Sequence, residues 1–200
     1  MHWLRHILLL LLALHAPFAL AEGIELRRGS VDVGDEGYVI NADFSIELRS
    51  RQEDAVNKGL SLYFLVEFEA TRSRWYWLDE KVVSQQQRFR LTYQPLTRQY
   101  RLSSGALHQN FATLDEAVRT LSRVRSWLIP ASAQLKTGDS LSGALRMRLD
   151  LTQLPKPFQV DALTSRDWNL SSDWKRWSFT LAAPVQEALG KPTQPEGDSR

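Results

Sequence analysis

The stretch LSLYFLVEFEATRSRWYWLDE, residues 60–80, decides the predicted fold. From Leu60 to Ala70 every second side chain is apolar, and the side chains between them change from apolar to acidic. Such period-two alternation predicts a β-strand with one buried face. After a break at Arg72 and Ser73, residues 74–78 predict a returning strand with three consecutive aromatic side chains. We therefore expect a central β-hairpin that holds much of the buried apolar surface.

Alternating apolar and polar residues on both sides of this hairpin predict further strands. They lie at residues 24–33, 38–48, 88–93, 99–102, 127–129, 145–151 and 177–181. Residues 154–158 contain two prolines and are predicted to be extended, because each proline restricts its own backbone and that of the preceding residue. The sequence lacks the strand–helix alternation that parallel sheets need. The predicted fold class is mainly β: an antiparallel β-sandwich or curved sheet of about eight strands with two peripheral helices.

Two capping boxes predict where the two helices begin. Ser50 is followed three residues later by Glu53, and Thr113 is followed in the same way by Glu116. In such a box the hydroxyl and the carboxylate satisfy backbone N–H groups that the first helical turn leaves without partners. The second helix is expected to extend to Arg125 because its apolar residues form one stripe at helical spacing.

The hairpin after the central one is predicted to pair Gln94 with Thr97. This register collects the apolar side chains on one face of the hairpin. It also sets Arg90 opposite Arg101, a like-charge pair that is normally unfavourable. An acidic neighbour from another strand, or an anionic partner, would relieve that repulsion.

The first 21 residues have the features of a secretory signal peptide. Arg5 lies in a short polar start, residues 7–14 are apolar, and an A-x-A pattern of small residues follows. The apolar run is shorter than the roughly 20 residues that span a bilayer, and an uncleaved anchor is the alternative. We expect a periplasmic protein in which residues 22–182 form one β-rich domain and residues 183–200 form a disordered tail.

Composition narrows the possible functions. The absence of cysteine excludes a thiol nucleophile, thiolate metal ligands and a lipoprotein anchor. The sequence has 25 basic and 23 acidic residues, and cleavage would remove one basic residue, Arg5. A balance this close to neutral gives no reason to expect a nucleic-acid partner. No membrane span is expected after cleavage.

Catalysis by a serine nucleophile would depend on His108, the one histidine outside the predicted signal peptide. Ser103 and Ser104 precede it, but no nucleophile-elbow motif surrounds them. Adjacent acids such as Asp79 and Glu80 could serve a carboxylate-dependent hydrolase, although adjacent side chains on a strand diverge. No catalytic residue is assigned, and the chain is predicted not to be an enzyme.

Oxygen-bearing side chains near Gly34 and Gly37 raise the possibility of a metal site. Asp32, Asp35 and Glu36 lie there, but a calcium loop needs more ligands in a stricter spacing. A hairpin turn explains the same residues, so neither a metal nor a cofactor is predicted.

Binding is the stronger hypothesis. The candidate binding residues are Trp75, Trp77, Arg88, Arg90, Arg98, Arg101, Trp168 and Trp174. The arginines lie on one face of a hairpin or just past its turn, which suits recognition of a carboxylate or a phosphate; the alternative is a solvated strand face. The tryptophans would offer a platform for a sugar or a protein, and the alternative is that they fill the core or cover one end of it.

Three segments resemble an uncharacterised proteobacterial family, domain of unknown function 4390. They are RWYWLDE at residues 74–80, LTRQYR at residues 96–101, and LDL at residues 149–151 followed by LPKP at residues 154–157. The resemblance covers about residues 24–182. It implies an exported envelope protein with no assigned activity, from a family whose members tend to be encoded beside a sensor histidine kinase.

The leading hypothesis is therefore a non-enzymatic periplasmic module that binds an envelope protein, with a possible link to a sensor histidine kinase. A module that binds a carbohydrate or a lipid is the first alternative. A carboxylate-dependent hydrolase is the second.

Overall fold

The computed structural model describes residues 23–74, 79–130 and 135–183. Within these ranges the chain forms nine strands and three α-helices. The strands are β1 Ile24–Gly34, β2 Gly37–Ile46, β3 Leu62–Arg72, β4 Glu80–Gln94, β5 Gln99–Ser104, β6 Leu107–Phe111, β7 Arg123–Leu128, β8 Ser140–Leu149 and β9 Lys175–Thr180. The helices are α1 Ser50–Asn57, α2 Leu114–Leu121 and α3 Lys156–Thr164.

The strands form two antiparallel sheets, which confirms the predicted fold class. The smaller sheet has the order β1-β2-β7, and the larger has the order β6-β5-β4-β3-β8-β9. One apolar core joins them. Its fully buried members include Phe64, Val66 and Phe68 from β3, with Ile24 and Ile40 from the smaller sheet. The alternation that marks residues 60–70 in the sequence thus places β3 at the centre of the core.

The other face of β3 points away from this core. Leu65 and Glu67 lie on it and are nevertheless only 4% and 8% exposed. Neighbouring strands cover both sides of β3, because Leu65 is opposite Arg88 of β4 and opposite Arg148 of β8. Long arginine stems on both sides account for the burial of these two residues.

The predicted returning strand over residues 74–78 is not the partner of β3. That partner is β4, and Arg72 lies opposite Glu80. Arg74 belongs to the connecting loop, and residues 75–78 lie outside the described residues. Pairing of β3 with β4 is favoured because β4 has 15 residues and its inner face supplies Val83 and Leu91 to the core.

The predicted register of the next hairpin was also wrong. Gln94 pairs with Gln99, so the loop has four residues, and Arg98 adopts a φ of 52° within it. Arg90 lies opposite Ser103 rather than Arg101, and the expected repulsion is absent. A shift of two residues keeps every side chain on its predicted face of the sheet. The prediction of which side chains share a face is therefore still correct, although the predicted pairs are not.

Helix α1 begins one residue earlier than the predicted box implies and has a different cap. Its N-cap is Arg49, whose N–H donates to the side chain of Gln52 at 2.9 Å, so the predicted box of Ser50 with Glu53 was wrong. Gln52 is fully buried, and its amide also donates to a backbone carbonyl beside α3. This buried amide therefore satisfies one backbone group at the start of the helix and one beside α3.

Helix α2 has the predicted capping box, in which Thr113 and Glu116 bond each other's backbone N–H groups. It ends at Leu121 instead of Arg125. Val124 belongs to β7 and lies opposite Ala42 of β2. Pairing with the smaller sheet overrides the helical apolar stripe at this point.

Helix α3 replaces the predicted extended segment. Pro157 is its second residue, a position in the first turn where the missing N–H costs no helical hydrogen bond. Among the described residues, no helix has the length and apolar content needed to cross a bilayer.

Candidate functional site

The larger sheet carries most of the predicted binding residues on its outward side, which we call the arginine face. Its arginines are Arg88, Arg90, Arg101, Arg146, Arg148 and Arg176, contributed by β4, β5, β8 and β9. The registers place them together because side chains alternate across a strand. Arg88 lies opposite Leu65 and Arg146 opposite Glu67, on the side away from the core.

Glu67 is the buried anion of the arginine face. One carboxylate oxygen accepts from Nε of Arg146 at 2.6 Å and from Nε of Arg148 at 3.0 Å, and the other accepts from Gln86 at 3.2 Å. Burial raises the pKa of Glu67, but the hydrogen bonds and charges of the two arginines outweigh it, and the net pKa is lowered. One carboxylate therefore holds two guanidinium groups side by side.

Arg88 has a weaker partner. Its Nη2 lies 3.6 Å from Asp150, a carboxylate that is itself 4% exposed. Asp150 already accepts hydrogen bonds from the N–H and the hydroxyl of Thr152. Arg88 is 53% exposed at its side chain, so most of its hydrogen-bonding capacity faces solvent.

Arg90 and Arg101 have no carboxylate partner among the described residues. Arg90 is exposed and makes no side-chain hydrogen bond or ion pair there. Arg101 donates through Nε to the neutral amide of Asn110 at 3.0 Å. Arg98 lies in the turn between β4 and β5 and is set apart from the sheet surface. The structure thus brings three of the four predicted arginines together.

The charge on the arginine face is unbalanced. With Lys81, which pairs with Glu69, the described residues of the face comprise seven cationic side chains and three acidic ones, Glu67, Glu69 and Asp150. The excess of four exceeds the formal charge of +2 of the whole chain. Positive charge is therefore concentrated on one sheet surface, and the rest of the molecule compensates for it.

The predicted tryptophans have different surroundings. Trp174 is half-buried at the border of the arginine face, and the guanidinium of Arg146 lies 4.5 Å from its ring centroid. Trp168 is 2% exposed and packs edge-on against Phe158, at the base of a cleft of about 570 Å³ between α1 and α3. Trp75 and Trp77 lie outside the described residues.

A family model described as "Domain of unknown function (DUF4390)" matches residues 21–178. The chain belongs to this family. The match confirms the resemblance seen in the sequence motifs. No curated protein and no solved structure matches the chain. The DUF4390 description names no activity.

The histidine of this DUF4390 domain lies on the arginine face. His108 is opposite Ser103 in the neighbouring strand, which brings together the pair considered from the sequence. In the part of the chain that the structure describes, the imidazole makes no side-chain hydrogen bond, and no group orients it toward a nucleophile. A base that activates serine is normally held by such a third group.

Two carboxylates lie near each other on the smaller sheet of the DUF4390 domain. Asp32 and Asp43 line a cavity of about 220 Å³ with Arg125 among its other residues. Hydrogen bonds from Ser30 and Asn41 lower the pKa of Asp32, whereas an acid catalyst needs a raised pKa. Among the described residues no group of three or more metal-binding side chains occurs.

Sequence reasoning missed the centre of the arginine face. Arg146 and Arg148 alternate with apolar residues in the sequence, which predicts an outward-facing pair. Their contact with Glu67 depends on the pairing of β8 with β3, strands that are far apart along the chain. An acidic residue in an otherwise apolar strand, Glu67, was the available signal in the sequence.

Proposed function

We propose that this DUF4390 chain is an exported, non-enzymatic binding module of the cell envelope, and that its arginine face binds an acidic segment of a partner protein. The observation that supports this proposal is the excess of positive charge on that face. Arg90, Arg101 and Arg176 have no carboxylate partner among the described residues, and Arg88 has one only at 3.6 Å; the first two and Arg88 lie together on β4 and β5.

The geometry of the arginine face suits an extended acidic segment. Residues two apart on a strand are separated by about 7 Å, so Arg88 and Arg90 are spaced like alternate side chains of an extended peptide. A guanidinium group can bind a carboxylate through two parallel hydrogen bonds. The rigid sheet holds these groups in position before binding, which lowers the entropic cost of association.

The Glu67 cluster supports the same function. Arg146 and Arg148 are held by Glu67 and stay on the sheet surface beside Leu65. They raise the local positive potential without needing to move. Such a field steers an acidic partner toward the face and increases the rate of association.

An envelope location is part of the proposal. The signal-peptide features of the first 21 residues and the absence of cysteine suit a protein that leaves the cytoplasm. The family resemblance, which implies genes encoded beside a sensor histidine kinase, leads us to place the partner in envelope signalling.

The test is capture of partners from envelope extracts with the mature chain. We expect a protein partner whose binding weakens as salt rises from about 50 to 300 mM, since exposed charges are screened over that range. The variant R88Q/R90Q/R101Q should lose binding at least tenfold. The control variant R27Q/R28Q/K58Q removes three positive charges elsewhere on the surface and should still bind the partner. Equal loss in both variants, or in neither, would refute the arginine face as the binding surface.

Binding of a carbohydrate or a lipid is the second candidate function, and Trp174 is the observation that favours it. Its ring stacks on Arg146 at the border of the arginine face, and aromatic rings commonly contact sugars and head groups. Capture of purified peptidoglycan or lipid vesicles without any protein partner, lost in W174A, would support this candidate instead.

A further inference from the structure

Strand β6 is an open edge of the larger sheet. It is the end strand in the order β6-β5-β4-β3-β8-β9, and no described strand pairs with its second side. Residues Leu107 to Asn110 are all exposed, with Leu107 at 79%. An edge of this kind presents backbone N–H and C=O groups to any extended chain that approaches it.

Unlike the other edges, β6 carries no charge. Its sequence, LHQNF, contains no lysine, arginine, acid or proline, and its pairing with β5 is regular. The opposite edge of the larger sheet, β9, begins with Lys175 and Arg176. In the smaller sheet, β1 carries charges and a register shift, and so does β7 in its pairing with β2. Charges and irregular pairing are the usual protection against strand addition, so β6 is the unprotected edge.

The hairpin turn determines which groups of β6 face outward. Ser104 pairs with Leu107, which leaves a two-residue loop that begins with Gly105 at a φ of 57°. Two-residue loops close on a hydrogen-bonded pair, and such pairs then alternate along the ladder. Leu107, Gln109 and Phe111 therefore bond to β5. The N–H and C=O groups of His108 and Asn110 point to the open side.

Arginines that have no carboxylate partner among the described residues flank one end of β6 on both faces. On the outer face, Arg101 reaches across to Asn110 at 3.0 Å and so leans toward the edge. On the inner face, Phe111 lines a cavity of about 400 Å³ together with Arg119 and Arg123. Both of these arginines are exposed, and within the described ranges neither forms an ion pair. An added strand would project side chains to both faces and meet arginine on each.

We propose that the acidic segment of the partner protein binds as an added β-strand along β6. This inference rests on the proposed function, that the segment is acidic, and specifies where it binds. Strand β4 is about 14 Å from a strand added outside β6, so Arg101 would contact the segment while Arg88 and Arg90 attract it from a distance. Backbone hydrogen bonds to His108 and Asn110 would supply affinity, and carboxylates alternating on the added strand would supply specificity. The same arginines argue against a second copy of this chain at the edge, because Arg101 and its counterparts would repel one another.

The probe is a ten-residue capped peptide in which glutamate alternates with threonine and valine. We expect the mature chain to bind it, and N110P to weaken binding at least tenfold, because proline removes an outward donor and blocks the added strand. The matched control N110S keeps that donor and loses the same Arg101 contact, so it should bind within about threefold of the wild type. Circular dichroism would establish that both variants fold.

Amide exchange gives a direct second measurement. Saturation with the peptide should slow exchange of the His108 and Asn110 amides at least tenfold, while the amides that already bond to β5 change less. Binding through the arginine side chains alone would leave the two outward amides exchanging quickly.

The outcomes separate this inference from the proposed function. If N110P and N110S bind equally while R88Q/R90Q/R101Q loses the peptide, strand addition is refuted and the arginine face is supported. If none of these variants changes binding, or if the wild type does not bind the peptide, both proposals are refuted for this class of ligand. Sedimentation that detects a dimer dissociated by N110P would instead assign the edge to a second copy.

Discussion

At the residue scale, Glu67 is the position on which the arginine face depends. It is 8% exposed on the outward side of β3, and it accepts hydrogen bonds from two arginines and one glutamine. Removing its charge would leave Arg146 and Arg148 close together without a carboxylate. Glu69, two residues along the same face, makes a single contact with the exposed Lys81. The two glutamates therefore form a natural comparison.

The first prediction concerns the stability at neutral pH of variants that remove the charge of Glu67 or of Glu69. E67Q should lower the free energy of unfolding by about 1–3 kcal/mol, the cost of losing charged hydrogen bonds at a buried site. E69Q should lower it by about 0.5 kcal/mol or less, since exposed ion pairs contribute little. Urea denaturation followed by circular dichroism measures both. Equal effects of the two variants would contradict the role given to Glu67.

The second prediction concerns pH. The pKa of Glu67 is lowered from its ordinary value of 4.5, so the folded state releases this proton more readily than the unfolded state does. Its contribution to stability is complete above pH 4.5 and disappears as the pH falls through the lower pKa of the folded state. The stability difference between wild type and E67Q should therefore shrink in acid. A difference that stays constant from pH 7 to pH 3 would contradict this assignment.

At the element scale, Trp177 of β9 joins the two sheets. Its ring lies so close to β1 and β8 that a methyl group on Gly29 or on Gly143 would come within 3.0–3.2 Å of it. The ring also contacts Phe68 and Phe179, with centroids 6.1 and 6.3 Å away. The two glycines therefore provide the space into which this tryptophan packs.

The third prediction compares two tryptophans of neighbouring segments. W177A should cost about 3 kcal/mol, the lower end of the range for aromatic truncation, because the ring is half-buried. W174A removes one contact with Arg146 on the outer surface and should cost about 1 kcal/mol or less. Urea denaturation measures both. A larger loss in W174A would mean that Trp174, rather than Trp177, fixes this edge of the sheet.

The same scale explains which elements could be predicted from the sequence. Period-two alternation identified β2, β3 and β9, because each has one face in the core and one outside it. It could not supply the register of β4 with β5, since a shift of two residues leaves the pattern unchanged. It also missed α3, where Pro157 occupies the first turn and only packing on the body of the domain favours a helix.

At the scale of the whole molecule, the sequence predicts the class of the fold but not the site. The arginines on β4 and β5 were recognised as a possible binding face from their spacing alone. The shared carboxylate of Glu67 and the open edge of β6 depend on which strands are neighbours, and strand order is not encoded in local alternation. The numbers of basic and acidic residues in the sequence are nearly equal. The excess of positive charge on the arginine face arises only when the strands of the larger sheet are paired.

The pairing of β3 with β8 has a consequence for how the chain acquires its fold. The contact of Glu67 with Arg146 spans 79 residues, so the most apolar strand gains its second neighbour only after most of the chain is available. Folding dominated by such distant contacts takes milliseconds to seconds, much longer than folding of a helical bundle. Until β8 is available, one edge of β3 has no neighbouring strand and is open to pairing with another chain.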